Sequence, residues 1–227
     1  MTCSYDFQGQ PWDANETPKT AAFIGDSVLG SAGAIISALT KQRCHVPSIW
    51  AISGAAPCDF IGGYDAYLTE HNPGHIWRVS LAFVGNATSA CMEASLGWSP
   101  PATLTQAQQN AIVHQYELDI RTLVQANLDH NARTYLILPP KMAAGTWHGQ
   151  INDELVTMLT QVADAFGGVG IDSGPRDLLT PGGVYRSTIA LNGTERRLRH
   201  TDGTHLAAPM GTWLYAAGAV VAPTLDA

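Results

Sequence analysis

The sequence predicts an α/β protein, a three-layer α/β/α sandwich around a mostly parallel, five-stranded sheet. Two observations carry this prediction. Five short apolar runs alternate with patterns of helical periodicity, and 45% of the 227 residues are hydrophobic, enough for a sizeable core. Strands that alternate with helices form parallel sheets whose two faces are both covered. We expect a single domain over residues 1–227, because this length suits one α/β domain.

The predicted elements follow one another along the chain. After an irregular lead-in over residues 1–20, apolar runs predict strands at residues 21–24, 46–52, 75–84, 134–138 and 169–171. Apolar residues at helical spacing predict helices over residues 28–42, after Thr105, and over residues 151–166 and 206–221. Thr105 and Gln108 fit a capping box. The Gly-, Pro- and Arg-rich residues 173–200 are predicted to form a long loop.

Charge and hydropathy restrict the class of partner. The net charge is −7 without a long run of either sign, so the basic surface that nucleic-acid binding needs is missing. We therefore expect no nucleic-acid partner and a neutral or weakly polar substrate. The sequence has no run of about 18 apolar residues, so no membrane span is predicted. The N-terminus does not fit a signal peptide. No oligomeric state is predicted.

Ser27 is the first candidate for chemistry. It follows the first predicted strand in the run Gly25-Asp26-Ser27 and precedes a predicted helix. A serine at such a turn presents its Oγ at the sheet edge, where the helix directs N–H groups and its positive dipole end. The hydroxyl still needs a base, because a free serine is a weak nucleophile. The alternative is an ordinary turn in which Asp26 or Ser27 caps the helix.

The run Asp202-Gly203-Thr204-His205, just before the last predicted helix, offers that base. A carboxylate three residues before a histidine can hold the Nδ1–H of the ring and leave Nε2 free to take the serine proton. A solvated polar turn is the alternative. A second alternative treats His200, Asp202 and His205 as metal ligands, although no further ligand stands out.

An acyl-transfer site also needs donors where charge develops on the carbonyl oxygen. Gly54 follows the second predicted strand and can offer its backbone N–H without a Cβ in the way. Asn86 follows the third strand and can offer its side-chain amide. Since the carboxyl ends of parallel strands share one edge, these residues and Ser27 are expected at one site. Taken singly, each residue also fits a turn.

In this order, the Ser, Gly, Asn and Asp-x-x-His blocks resemble the SGNH/GDSL hydrolase superfamily over almost the whole chain. The resemblance implies a flavodoxin-like sheet and a catalytic triad of Ser27, Asp202 and His205. It also implies an oxyanion hole formed by the N–H groups of Ser27 and Gly54 and by the Asn86 side chain. Gly62 and Gly63 are rivals for the role of Gly54. The chain has no Gly-x-Ser-x-Gly elbow, which disfavours the α/β-hydrolase fold.

The four cysteines favour two disulfides, with four free thiols as the alternative; spacing alone leaves three connectivities open. The Gly85-Asn86 variant and the positions of Cys58 and Cys91 resemble the extracytoplasmic branch of the superfamily, which includes domains fused to membrane acyltransferases. That resemblance implies the pairs Cys58–Cys91 and Cys3–Cys44. It also implies a secreted or extracytoplasmic protein whose signal or anchor is missing from this chain. A cytoplasmic protein is the alternative.

The resemblance further implies a serine esterase that hydrolyses short acyl esters, of acetyl type, on carbohydrate or cell-wall material. Neither a metal nor an organic cofactor is expected, and the partner is a small-molecule or polysaccharide ester. One alternative is an O-acyltransferase that uses the same triad with a sugar acceptor. Another is a non-catalytic carbohydrate-binding domain. Trp147 and His148, expected in a loop at a strand end, are candidates for substrate binding, with a loop anchored by Trp147 as the alternative. Arg199 is a candidate for bracing the Asp-His loop, and a solvated cluster of Arg196, Arg197 and Arg199 is the alternative.

Overall fold

A computed structural model describes residues 19–71 and 76–221 of the chain, without the side chains of residues 76, 77 and 221. The lead-in up to residue 18, including Cys3, and His75 lie outside the described residues. In chain order the elements are β1 Thr20–Gly25, α1 Ser27–Gln42, β2 Val46–Ala51, α2 Cys58–His71, β3 Ile76–Ala82, α3 Ala90–Leu96, α4 Gln106–Asp129, β4 Arg133–Ile137, α5 Trp147–Phe166, β5 Gly170–Asp172, α6 Gly174–Leu179, β6 Thr188–Leu191, β7 Thr194–Arg197 and α7 Met210–Val221.

The central sheet has five strands in the order β2-β1-β3-β4-β5, and every pair is parallel. This is the predicted α/β/α class. β1 lies between β2 and β3, and the four residues Ala21 to Ile24 in its middle are fully buried. Successive side chains of a strand point to opposite faces. Accordingly, Ala22 and Ile24 pack in one core cluster, and Ala21 and Phe23 pack in the other.

Helices cover both faces of the sheet. The core cluster on one face takes buried residues from α2, α4 and α5, and the cluster on the other face takes them from α1 and α7. The predicted capping box is present at the start of α4, where Thr105 and Gln108 bond reciprocally. In the described part of the chain, no helix is long and apolar enough to cross a membrane.

Several predicted boundaries are wrong. Residues 173–200 are not one loop, because they contain α6 and the antiparallel hairpin of β6 and β7. Helices α2 and α3 were not predicted. Helix α5 begins at Trp147 rather than at residue 151, because the Thr146 hydroxyl accepts the Gly149 N–H and caps it there. The last helix begins at Met210 rather than at residue 206.

The predicted disulfide between Cys58 and Cys91 is confirmed. It joins the first residue of α2 to α3 across a sequence separation of 33. The second predicted pair, Cys3–Cys44, includes a residue outside the described part of the chain.

Candidate active site

Ser27 lies where the first strand ends and the first helix begins, at the carboxyl edge of the sheet. The two strands β1 and β3 approach closely here. A Cβ built on Gly25 would lie 2.0 Å from the carbonyl oxygen of Ala82, so only glycine fits before the turn. Asp26 is the N-cap of α1 and accepts the Val28 N–H at 2.9 Å. Ser27 therefore occupies the first turn of the helix.

Three side chains separated in sequence form a continuous chain of hydrogen bonds. The Oγ of Ser27 lies 2.9 Å from Nε2 of His205, and Nδ1 of His205 lies 2.7 Å from Oδ2 of Asp202. An ionised carboxylate only accepts, so Nδ1 carries the hydrogen. Nε2 then has its lone pair toward the serine hydroxyl. The arrangement can take a proton from Ser27 and hold the resulting imidazolium.

The Asp202 carboxylate is fixed locally by the turn that carries it. Its Oδ1 accepts the backbone N–H groups of Thr204 at 2.9 Å and of His205 at 3.0 Å. Partial desolvation raises the pKa of Asp202, but these bonds and the His205 ring outweigh that effect and lower the pKa to about 2. Arg199 is buried and donates to the Thr204 carbonyl at 2.7 Å, so of the two alternatives for this residue the structure favours the one in which it braces the turn.

Asp26 is a second, fully buried carboxylate at the site. Besides capping α1, its Oδ2 accepts the Val84 N–H at 2.7 Å and Nδ2 of Asn86 at 3.2 Å. Burial raises the pKa of Asp26 to about 6, while the hydrogen bonds from Val84 and Val28 act in the opposite direction. The carboxylate thus ties the turn that carries Ser27 to the segment that follows β3.

The predicted oxyanion donors lie at the carboxyl edge, in the turns after β2 and β3. Gly54 has a positive φ of 74° in an exposed turn, a conformation that favours glycine. The Asn86 amide donates to the Ala55 carbonyl at 3.0 Å as well as to Asp26. Gly62 and Gly63, the rivals for Gly54, lie inside α2, where helical bonds occupy the backbone N–H groups. The donor roles remain predictions.

Trp147 and His148 do not lie in the predicted loop but in the first turn of α5. Their rings stack with centroids 3.8 Å apart. His148 is buried, and its Nε2 lies 2.9 Å from Oδ1 of Asn86 while its Nδ1 lies 3.4 Å from Oγ1 of Thr204. A buried ring with both nitrogens engaged does not fit the substrate-binding role expected for His148.

The metal-ligand alternative lacks the necessary geometry. Among the described residues, three ligand atoms come within 4.8 Å of one another only at Cys58, Asp59 and Cys91, and both thiols there are joined in the disulfide. Asp202 and His205 are bonded to each other, and His200 does not complete a cluster with them. The three residues therefore form no ligand set for zinc.

A cavity of about 290 Å³ opens beside the nucleophile candidate. Apart from Ser27, Asp26 and His205, its lining consists of small residues from α1 and from the end of β2: Gly30, Ser31, Ala51 and Ser53. Gly30 and Ala51 lie close together in this lining, since a Cβ on Gly30 would lie 3.4 Å from the Ala51 Cβ. Besides the Ser27 hydroxyl, the lining carries the hydroxyl groups of Ser31 and Ser53 and no large apolar side chain.

The fold is similar to solved GDSL and SGNH structures. A GDSL-like lipase from Bacteroides thetaiotaomicron matches at 13% identity over 92% of this chain and 88% of the lipase, with a TM-score of 0.56. An acetyl xylan esterase matches at 16% identity over 88% of this chain and 97% of the esterase, with a TM-score of 0.59. No protein-family model and no curated protein matches the sequence. The chain has the fold of the SGNH hydrolases.

A third structure with the SGNH fold is the C-terminal catalytic domain of peptidoglycan O-acetyltransferase A from Streptococcus pneumoniae. It matches at 13% identity over 93% of this chain and 97% of that domain, with a TM-score of 0.56. The sequence offered Asp26 as a helix cap and His148 as a candidate for substrate binding, but it did not reveal the contacts that organise the site, Asp26 with Val84 and His148 with Asn86. The Gly-Asp-Ser run was the available signal for Asp26, and no local pattern marks the contact of His148 with Asn86.

Proposed function

We propose that the protein is a serine esterase that hydrolyses short acyl esters of hydroxylated compounds such as carbohydrates. The observation that carries the proposal is the hydrogen-bonded chain from Ser27 Oγ through His205 to Asp202, at 2.9 and 2.7 Å. These distances lie within the range in which a general base takes the proton of a nucleophile directly. The similarity to an acetyl xylan esterase supports acetyl as the acyl group.

The reaction takes place in two halves. Ser27 Oγ attacks the ester carbonyl carbon while His205 Nε2 takes the hydroxyl proton, which gives a tetrahedral oxyanion. The C–O bond to the alcohol then breaks, and His205 returns the proton to the leaving oxygen. An acyl-Ser27 ester remains. Water attacks it with His205 again as the base, which releases the carboxylic acid and restores the serine.

The oxyanion is held by three donors. The first N–H groups of a helix have no intrahelical partner, and Asp26 accepts those of Val28 and Leu29. In this first turn of α1, the Ser27 N–H therefore remains available to donate to the substrate oxyanion. The Gly54 N–H is the second donor. Asn86 is the third, and one of its two Nδ2 hydrogens turns from Asp26 or Ala55 to the oxyanion when substrate binds.

The cavity beside Ser27 supports a short acyl group. An apolar pocket contributes about 0.8 kcal/mol for each buried methylene, or about fourfold in kcat/KM. Walls made of Gly30, Ala51 and the hydroxyls of Ser31 and Ser53 give no such gain. We therefore expect kcat/KM to be highest for acetyl esters and to decrease from acetate to butyrate to octanoate.

The exposure of the triad favours hydrolysis over acyl transfer. The side chains of His205 and Asp202 are 45% and 49% exposed, so water reaches the acyl-enzyme freely. A transferase has to exclude water while the sugar acceptor attacks. The similarity to an O-acetyltransferase domain supports the alternative in which a sugar hydroxyl replaces water. Product analysis with and without a carbohydrate acceptor separates the two.

Hydrolysis of p-nitrophenyl esters by the wild type and by Ser27→Ala tests the proposal. We expect Ser27→Ala to lower kcat by about 10⁴-fold or more, because the base then has no nucleophile to activate. A fluorophosphonate probe should label the wild type and leave Ser27→Ala unlabelled. Ser187→Ala, which removes an exposed hydroxyl elsewhere, is the matched control. Equal rates in wild type and Ser27→Ala would refute the mechanism, and a folded protein that never labels supports a non-catalytic domain.

We infer that the protein works in an oxidising, extracytoplasmic compartment. The Cys58–Cys91 disulfide supports this inference, because such bonds persist outside the reducing cytosol. Cell fractionation of the source organism, with the protein followed by antibody, tests it. Recovery in the reduced cytosolic fraction would contradict the inference.

A further inference from the structure

His148 lies between two parts of the site that come from different regions of the chain. One ring nitrogen, Nε2, is 2.9 Å from Oδ1 of Asn86, after β3. The other, Nδ1, is 3.4 Å from Oγ1 of Thr204, in the turn between Asp202 and His205. Thr204 in turn gives its backbone N–H to Asp202. The imidazole therefore bridges the third oxyanion donor and the turn that holds the base.

The partners determine which nitrogen carries the hydrogen. The amide oxygen of Asn86 only accepts, so Nε2 is the donor, and Nδ1 accepts from the Thr204 hydroxyl. The ring is neutral at ordinary pH, because burial and the nearby His205 lower the pKa of His148 to about 4. Its single N–H is directed at Asn86 alone.

We propose that His148 is a positioning residue that fixes the orientation of the Asn86 amide in the oxyanion hole. An asparagine side chain can rotate by half a turn and exchange its oxygen and nitrogen with little change in shape. In the observed orientation Oδ1 faces His148 and Nδ2 faces Asp26 and Ala55. Rotation would direct the oxygen lone pairs at a developing oxyanion and at the Asp26 carboxylate. The His148 donor makes that rotation unfavourable. The inference rests on the proposed function.

The packing of the ring is separable from this bond. Trp147 stacks on His148 with centroids 3.8 Å apart, and that contact needs only a flat side chain of similar size. The N–H of Nε2 contributes nothing to the stacking, and its acceptor belongs to the proposed catalytic machinery. A role limited to stability therefore predicts that any well-tolerated replacement behaves alike. A positioning role predicts that the donor toward Asn86 decides the rate.

Two substitutions separate these roles. In His148→Gln the amide nitrogen reaches about as far as Nε2 and keeps a donor toward Asn86. In His148→Asn the shorter side chain keeps a polar group near Thr204 and loses that donor. For p-nitrophenyl acetate we expect His148→Asn to lower kcat about tenfold with KM within about twofold, because a buried acceptor loses its partner. We expect His148→Gln to stay within about threefold of the wild-type kcat.

A double-mutant cycle shows whether the effect passes through Asn86. In an Asn86→Ala background, His148→Asn should lower kcat by less than about twofold, since the amide that it orients is gone. His45→Ala is the matched control. It removes another buried histidine, whose Nδ1 pairs with the Arg43 carbonyl next to the amino end of β2, and should leave kcat unchanged. Thermal unfolding of each variant confirms that it is folded.

Four outcomes decide the inference. A tenfold difference between the Asn and Gln variants, absent in the Asn86→Ala background, supports it. Equal losses in both variants, or an undiminished loss without Asn86, overturn it and leave His148 a packing residue. If Ser27→Ala keeps the wild-type rate, the proposed function fails and the inference fails with it. If Ser27→Ala is inactive while both His148 variants behave alike, only the inference fails.

Discussion

The Asp26 carboxylate is buried, and its hydrogen-bond partners within the described residues are amide groups and not basic side chains. It is held by backbone N–H groups, including those of Val28 and Val84, and by the Asn86 amide. Desolvation disfavours the charged form more strongly than these bonds favour it, which raises the pKa to about 6. Holding Asp26 ionised at neutral pH therefore lowers the stability of the fold, in exchange for a fixed link between Ser27 and Asn86.

Because the pKa of Asp26 is raised in the folded protein, the stability of the fold depends on pH. Between about pH 4 and pH 6 the folded protein binds more protons at Asp26 than the unfolded chain does, so the contribution of this group to stability falls as the pH rises. A shift of about two pKa units corresponds to about 3 kcal/mol. We expect the free energy of unfolding of the wild type, minus that of Asp26→Asn, to fall by about this amount between pH 3 and pH 8. Urea denaturation of both proteins measures it, and parallel pH profiles would contradict it.

Single residues differ in how far the sequence could reveal them. Ser27, Asp202 and His205 lie in short runs whose residue types and spacing already indicate a nucleophile and its base. The fold brings their side chains together. The contacts of Asp26 with Val84 and of His148 with Asn86 arise when distant segments pack. No local spacing encodes such contacts, so the sequence predicted neither link.

At the level of elements, the parallel strands were predictable because each is a short apolar run that ends at a turn residue. Helix α2 was missed because Gly62 and Gly63 interrupt it, and glycine disfavours helix interiors. The helix forms because Phe60, Tyr64 and Leu68, spaced four residues apart, are buried on one face. The hairpin of β6 and β7 was not predicted because every residue of its two strands is half-buried or exposed and β7 is wholly polar, so neither strand forms a buried apolar run.

The disulfide joins helices α2 and α3 close in sequence to the proposed oxyanion donors Gly54 and Asn86. Cys58 lies three residues after Ala55, and Cys91 lies five residues after Asn86. The Ala55 carbonyl accepts a hydrogen bond from the Asn86 amide. Closing a loop with a sequence separation of 33 restricts the unfolded chain and stabilises the fold by about 3–4 kcal/mol. We expect the double variant Cys58→Ala, Cys91→Ala to lose about this much in urea denaturation.

The same double variant should keep kcat within about threefold of the wild type below its unfolding transition, since neither cysteine lines the cavity beside Ser27 and the loss acts mainly through the unfolded state. An unchanged midpoint of denaturation would show that the crosslink does not stabilise the fold.

At the level of the whole molecule, the site depends on contact between two segments that are far apart in sequence. Ser27 and His205 are separated by 178 residues, and the helices next to them, α1 and α7, share one buried core cluster. Helix α7 packs against both α1 and α6, and the turn with Asp202 and His205 comes just before α7 in the chain. These two packing contacts of α7 therefore fix the position of the turn. Docking of α7 is therefore a condition for the hydrogen-bonded chain from Ser27 to Asp202 as well as for stability.

Two glycine-to-alanine substitutions test this docking. A Cβ on Gly218 in α7 would lie 2.4 Å from backbone atoms of Gly174 and Pro175 in α6, which cannot move aside, whereas a Cβ on Gly62 in α2 meets nothing within 4 Å. We expect Gly218→Ala to lower the free energy of unfolding by about 2 kcal/mol and to lower kcat, because α7 shifts away from α6. Gly62→Ala should raise that free energy by about 0.5–1 kcal/mol at unchanged kcat, since alanine favours a helix interior. Urea denaturation and p-nitrophenyl acetate assays on both variants give the comparison, and effects of the same sign would mean that α7 is not held in the close contact described here.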